Sequence, residues 1–417
     1  MHQAAVNILM ANDRGGFTIP TSRLYPYQWN WDSAFAALGF ARFDRLRAWT
    51  EIEMLFAAQW DNGMVPHIIF RSNDPDYFPG PDIWQSGTEP PSSGHSQPPV
   101  ATSVVRWLLQ NNAPEDRDHA LHLFPKMLAY HRWFHAHRDP DNTGLVATIH
   151  PWESGRDNCP DWDSGLNGMD VDPNLGDYVR RDTSHVDASE RPNQFQYDRF
   201  LTIIKFGREC QWDSQQLYRK GPFLMVDPGI QFILLRADRD LLAMAKEFDR
   251  PEAELQEIST WIDKSSAASE KLWNSQARAY CALDLRSGHM SDAMTSASML
   301  ALYAKAGTDE HRNQLMERAG EILHEVKYAF PSWDPTHPKF EAKRYWRGPV
   351  WAIMNYMIAR GLEEHENISM ARRVQEDTRK LITQSGFFEY FDPLTGEGCG
   401  GDDFTWTAAV QLAIESH

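Results

Sequence analysis

Cysteine is rare in this chain. Cys159, Cys210, Cys281 and Cys399 are scattered over 417 residues with no CxxC pair and no Cys/His ligand spacing. That pattern excludes a zinc module or a disulfide framework and points to a reducing compartment, the cytoplasm. Positive charge is also short: 41 Lys and Arg face 58 Asp and Glu, a formal charge of -17. A field of that sign repels phosphate backbones and anionic lipid, so neither nucleic acid nor a membrane is expected as a partner. Long apolar runs are missing, since no segment approaches the roughly 20 consecutive residues of a membrane span. The opening MHQAAVNILMANDRGG has too short an apolar stretch and too weak a basic flank for a secretory signal. No Pro/Gly/Ser linker divides the chain, so residues 1–417 read as one large domain. Two-residue alternation is scarce as well, which argues against a mainly parallel sheet.

What is present is helical period. Trp49, Ile52, Phe56 and Trp60 recur at three- and four-residue steps, as do Leu315, Ala319, Ile322 and Val326, each set marking one helix face. The pattern predicts helices over 2–11, 32–42, 97–112, 115–137, 193–211, 223–248, 251–275, 289–306, 309–328, 347–362, 366–384 and 404–416. Ser291-Asp292 suits the start of one of them and Gly307 its stop. About a dozen helices joined by short connections favour antiparallel hairpins, and six hairpins can close into an all-α, (α/α)6 barrel.

Two connections break that rhythm. Residues 61–96 and 138–192 are long, and loops of such length in a compact domain are usually functional or disordered. Their content (DYFPGPDIW, PPSSGHSQPP, HPWESGRDNCPDWD) is aromatic, which argues against disorder. Sugars present apolar C–H faces and hydroxyls, so a saccharide pocket wants flat aromatic walls beside charged hydrogen-bond partners. Sixteen tryptophans are available for the walls, although many must also serve the core.

Eight stretches in order then carry a resemblance: YPYQWNWDSAF (25–35), QWDNGMVPHIIF (59–70), YFPGPDIW (77–84), SQPPV (96–100), HPWESGRDNCPDWD (150–163), RPNQFQYDRF (191–200), YWRGPVW (345–351) and FFEYFDPLTGEGCGGDDFTWTAA (387–409). Together the sequence resembles glycoside hydrolase family 63, and within it the short mannosylglycerate and glucosylglycerate hydrolases. The resemblance implies an (α/α)6 barrel with an inverting α-glycosidase site at one mouth. It places the general acid at Asp157 and the general base at Glu389, and inverting hydrolysis needs such a pair of carboxyl groups with room between them for a water. Taken singly, Asp157 could cap a turn and Glu389 could be a surface glutamate at a strand end.

The resemblance further implies that Asp32 binds the sugar, where its alternative role is a helix N-cap. Trp29 and Trp31 are candidate walls. Gln97, Trp152, Trp346 and Arg347 are further pocket candidates, with Pro349 suited to a helix's first turn. Glu153 and Arg156 either shape the acid loop or touch the sugar. For a glycerate aglycone, Arg191 offers a bidentate guanidinium, with Tyr197, Tyr25, Tyr77 and Tyr345 as hydroxyl donors. Otherwise Arg191 forms a surface salt bridge with Glu190 or Asp198. The partner expected is therefore a small-molecule glycoside. The mechanism needs no cofactor or metal, because protonation activates the leaving oxygen; the Asp-rich DNCPDWDSG and CGGDDF lack an EF-hand's ligand spacing, which leaves calcium a minor alternative. Three other readings stand beside this one: hydrolysis of a neutral, trehalose-like disaccharide or an oligosaccharide, a sugar epimerase relying on histidines such as His150, and a noncatalytic sugar-binding protein.

Overall fold

The computed structural model describes residues 1–72, 74–110 and 114–415. Among them, six helices stand around a common axis: Asn30–Phe40, Ala101–Leu109, Pro228–Glu247, Leu300–Tyr303, Ala352–Glu364 and Thr405–Ile414. Each packs on the next and the sixth returns to the first, so the ring closes. An outer layer covers it. Arg45–Phe56, Pro114–His137, Glu252–Ser269 and Ile368–Ser385 pack on the first, second, third and fifth inner helices, and His2–Asn12 packs on the sixth. Asp309–Glu325 follows the short fourth helix in sequence. This is the (α/α)6 barrel.

Burial follows position in these layers. Every residue of Asn30–Phe40 and of Thr405–Ile414 is buried, whereas the outer Asp309–Glu325 buries only Leu315, Ala319 and Ile322. A helix enclosed on all sides is apolar all round, and one on the rim keeps a single apolar stripe. Closure between the first and sixth inner helices depends on Gly39, where a Cβ would come within 2.7 Å of Ala409. No helix among the described residues is long and apolar enough to cross a membrane.

Several expected helices shift. The 289–306 segment contains only the short Leu300–Tyr303 helix, and Ser291-Asp292 starts none. Upstream, the Thr295 and Ser298 hydroxyls bond each other's main-chain N–H, and Ser298 Oγ donates to the Tyr280 carbonyl. Local side-chain bonds of this kind compete with the helical ladder. Gly307 does adopt a left-handed φ of 91°. The helix expected from 347 begins at Ala352, so Pro349 precedes it, and the helix bearing Trp49 ends at Phe56, before Trp60. The last two residues of the expected 97–112 helix and the last of 404–416 lie outside the described residues.

The starts of several inner helices share one end of the barrel with functional candidates. Asp32 lies in the first turn of Asn30–Phe40, Gln97 precedes Ala101–Leu109, Trp351 caps Ala352–Glu364 and Trp406 opens the sixth helix. Inner-helix N-termini therefore face the site, and their partial positive charge favours anionic groups there.

Candidate active site

Two short antiparallel pairings set the walls. Gln28–Trp29 pairs with Ile68–Ile69, which brings Trp29 beside His67, their ring centroids 6.4 Å apart. Tyr390–Phe391 pairs with Gly398–Cys399 and delivers Glu389 just before the strand. Strand-end position and burial coincide here, since Glu389 is only 1% exposed.

The acidic stretch 150–163 is held by ion pairs that leave one carboxylate over. Glu153 is bound by Arg138 at 2.7 Å and accepts from the main-chain N–H of Ser96 and Ile149. Arg156 bridges Asp161 at 2.9 Å and Asp227 at 2.6 Å, and Asp227 in turn caps the Pro228–Glu247 helix. Asp163 faces Arg347 at 3.0 Å. Removing one partner of a buried pair costs about 3–5 kcal/mol, so the loop's shape is strongly specified. His150 adds a fixed tautomer: its Nδ1 accepts from Trp152 N–H at 2.9 Å and its Nε2 meets the Phe200 carbonyl at 3.1 Å. Gly155 takes a φ of 70°, and a Cβ there would lie 2.6 Å from the Trp31 ring. Asp157, next but one in the chain, has no basic partner within salt-bridge distance among the described residues.

Asp157 stands between two cavities. The inner one, about 380 Å³, is lined by Trp31, Asp32, Gln97, Glu389, Phe404 and Trp406 among others. The outer one, about 610 Å³, is lined by Tyr77, Trp84, Trp152, Arg181, Asp182, Arg191 and Tyr197. Tyr25, Trp29, His67, Asp157 and Tyr345 line both. Aromatic walls with a few convergent charged groups are what a saccharide pocket requires.

Arg191 ties the two cavities electrically. It lies 3.3 Å from Glu389 and 3.3 Å from Asp182, donates to the Tyr25 hydroxyl at 2.5 Å and covers the Tyr345 ring at 4.0 Å. Glu389 also accepts from the Tyr25 hydroxyl at 3.0 Å and from Gly401 N–H at 3.1 Å. Tyr345 holds a left-handed φ of 46°, backbone strain of the sort that collects at functional sites. Burial raises the Asp157 carboxyl to about 7, with Arg191 opposing and the charge of Glu389 adding to the rise. Glu389 is raised by burial too, but Arg191, Gly401 and Tyr25 all favour its ionised form. Asp32 is pushed well above the carboxylate range, first by burial and then by Glu389. Burial thus acts on all three carboxyls, and only Glu389 has neighbours that donate hydrogen bonds to its ionised form.

Four expected contacts move out of the pocket. Glu153 and Arg156 are saturated by the ion pairs above and shape the loop without lining either cavity. Trp346 is 1% exposed and sits behind Trp31, stacked on Trp351 with centroids 3.8 Å apart. Arg347 is committed to Asp163 and Glu341. Arg191 forms no surface bridge to Glu190 or Asp198, and Asp32 is not the cap, because Trp29 occupies that position. Gln97 accepts from the Trp31 N–H at 3.3 Å. Sequence reasoning passed over His67, Arg181, Asp182, Trp84 and Trp406. His67 and Trp406 lie inside stretches that already stood out, whereas Arg181 and Asp182 sit in a loop with no period to flag them. Asp161 and Asp163 turn to different arginines, and among the described residues no group of three potential metal ligands converges.

Two pH effects follow from these carboxyls. For the acid and base that the resemblance implies, the rate is expected to rise as Glu389 loses its proton above its ordinary range and to fall as Asp157 loses its proton near pH 7, a bell read from kcat/KM against pH. Stability should respond as well. Because the folded Asp157 binds its proton more tightly than its unfolded value of 3.8, that contribution is complete below pH 3.8 and lost as pH rises through about 7. Asp157→Asn, which cannot ionise, is therefore expected to match the wild type near pH 4 and to exceed it by about 4 kcal/mol at pH 8. Denaturant melts at the two pH values check this, and an unchanged difference between them would contradict it.

Residues 25–407 match the mannosylglycerate hydrolase MGH1-like glycoside hydrolase domain. The chain belongs to this glycoside hydrolase family. The mannosylglycerate hydrolase MGH1 of Selaginella moellendorffii is 46% identical over 99% of this chain and 84% of its own length. The mannosylglycerate hydrolase of Thermus thermophilus is 45% identical over 98% of this chain and 99% of its own. A crystal structure of the family 63 enzyme from a second strain of Thermus thermophilus, in complex with Tris and D-glycerate, superposes with a TM-score of 0.96 at 43% identity over the whole of both chains. This MGH1-like glycoside hydrolase thus shares its fold with the Thermus enzyme.

Proposed function

We propose that this glycoside hydrolase is an inverting α-glycosidase that splits mannosylglycerate or glucosylglycerate into free sugar and glycerate. The observation that carries the reading is the position of Asp157, on the wall shared by a carboxylate-rich inner cavity and an outer cavity holding Arg181 and Arg191. In this reading the hexose occupies the inner cavity against Trp31, Asp32 and Gln97. Asp157 protonates the glycosidic oxygen while Glu389 takes a proton from the attacking water. The aglycone carboxylate lies in the outer cavity near Arg191 and Arg181, with Tyr77 and Tyr197 as hydroxyl donors. A net-acidic protein must supply fixed positive groups to hold an anion, and these two arginines do so. The names of the relatives favour the mannosyl substrate, which differs from the glucosyl one only in the orientation of the 2-hydroxyl. The catalytic domain is read as spanning the whole chain, and its four unpaired thiols suit a reducing compartment such as the cytoplasm.

An epimerase would need bases on both faces of the sugar. Of the stacked His67, His95 and His150, only His67 reaches a cavity wall. A panel of mannosylglycerate, glucosylglycerate, mannosylglycerol and trehalose tests the assignment. The two glycerates are expected to be hydrolysed at least tenfold faster than the neutral compounds. Preference for trehalose or a neutral oligosaccharide would replace the glycerate assignment.

A further inference from the structure

The outer cavity already holds an anion of the chain's own. Asp182 lines it together with Arg181, Arg191, Tyr77 and Tyr197, the groups to which the glycerate reading gives the aglycone carboxylate. One oxygen of Asp182 is shared: Oδ2 accepts from Arg180 Nη2 at 2.6 Å and from Arg191 Nε at 3.3 Å. Burial, and after it the charge of Asp182, raises the Tyr197 hydroxyl, while burial, Tyr27 and Asp182 in that order raise Tyr77. A carboxylate that meets the guanidinium and whose field reaches both hydroxyls occupies the ground an incoming carboxylate needs.

The two contacts of Asp182 are unequal. Its other oxygen accepts from Arg180 Nε at 3.0 Å, which completes a bidentate pair, whereas Arg191 reaches it only through Nε at 3.3 Å. Arg180 is fixed in turn: it donates to the Pro192 carbonyl at 2.7 Å, covers the Tyr197 ring at 4.2 Å and does not line the cavity. Asp182 can therefore release Arg191 and keep Arg180, the stronger of its two partners. Arg191 directs Nη1 to Glu389 and Nη2 to the Tyr25 hydroxyl, so Nε is the nitrogen held by a group that can give way.

We propose that Asp182 is a specificity-determining residue of the outer cavity: its carboxylate holds the place of the aglycone carboxylate on Arg191 Nε, yields it when a glycosylglycerate binds, and competes against the glycerate product. This rests on the reading of the aglycone as an anion. Like charges sharing one partly buried site repel, so the charge of Asp182 weakens glycerate binding and favours product release. D-Glycerate and its neutral isostere D-glyceramide are the probes, titrated calorimetrically into the whole chain at pH 7. Asp182→Asn keeps an acceptor oxygen and removes the charge. It should tighten D-glycerate by roughly 10- to 100-fold and shift D-glyceramide by about threefold or less. Asp182→Ser should move in the same direction; the helix Asp182–His185 buries none of its residues, so the barrel does not rest on it. D-Glycerate binding that is unchanged or weaker in both variants overturns the proposal, and Asp182 would then serve to hold Arg180 and Arg191 in position. Equal tightening of both probes overturns it too, since that marks a loosened cavity. Preference for the amide in the wild type and in both variants would be a different failure, that of the anionic aglycone itself, and would take this proposal with it.

Discussion

Asp157→Asn and Glu389→Gln are each expected to lower turnover by about 10²- to 10⁴-fold while leaving the fold intact. Each amide keeps the shape of the side chain and removes one proton transfer. For Asp157 the substitution deletes the neutral acid that burial maintains to about pH 7. The residual activity of Asp157→Asn should also lose the alkaline fall near that pH. For Glu389, the amide cannot take a proton from water, and it leaves Arg191 beside a neutral group. Single-turnover rates on mannosylglycerate provide the measurement. Near-wild-type turnover in either variant removes that residue from the proposed pair.

The second large effect is expected at Arg191. A hydrogen bond to a charged group contributes about 1.5–3 kcal/mol, so Arg191→Ala should reduce kcat/KM for a glycosylglycerate by roughly 10- to 150-fold from the aglycone contact alone. The geometry adds a further loss, because the same guanidinium lies 3.3 Å from Glu389 and helps to keep it ionised. A glycosylglycerol substrate separates the two. Lacking the carboxylate, it should suffer only the part transmitted through Glu389, together with an upward shift of the acidic limb of its pH profile. Equal losses on both substrates would confine Arg191 to supporting the base, and Arg181, across the outer cavity, would become the sole candidate for the carboxylate.

Helical period made the barrel legible because most inner and outer helices bury continuous faces. Period failed where side chains rather than the helical ladder satisfy the backbone, as Thr295 and Ser298 do. The proposed acid and base were not legible as chemistry from local sequence. Taken singly, Asp157 reads as a turn residue and Glu389 as a strand end, and only the resemblance of the surrounding stretches suggested roles for them. What sequence could not supply was the allocation of charges. HPWESGRDNCPDWD shows four carboxylates and an arginine, but only the fold brings Arg138 to Glu153 and Asp227 to Arg156, leaving Asp157 facing the cavities. The same holds for Trp346 and Arg347. They share a short stretch with Tyr345, yet one stacks behind the wall and the other pairs outside it. Arg181 and Asp182 were invisible for the opposite reason. Their stretch has no period, and the ion pairs of Arg181 with Asp74 and of Asp182 with Arg180 and Arg191 hold them at the outer cavity.

The central claim is that Asp157 and Glu389 act from opposite faces of the sugar, one on the leaving oxygen and one on a water. Proton NMR of the anomeric region during the first minutes of α-mannosylglycerate hydrolysis tests it most directly, before mutarotation scrambles the product. An inverting pair predicts that β-mannose appears first and the α-anomer only later. α-Mannose appearing first would show that a covalent intermediate forms, and would contradict the roles assigned to both carboxyl groups.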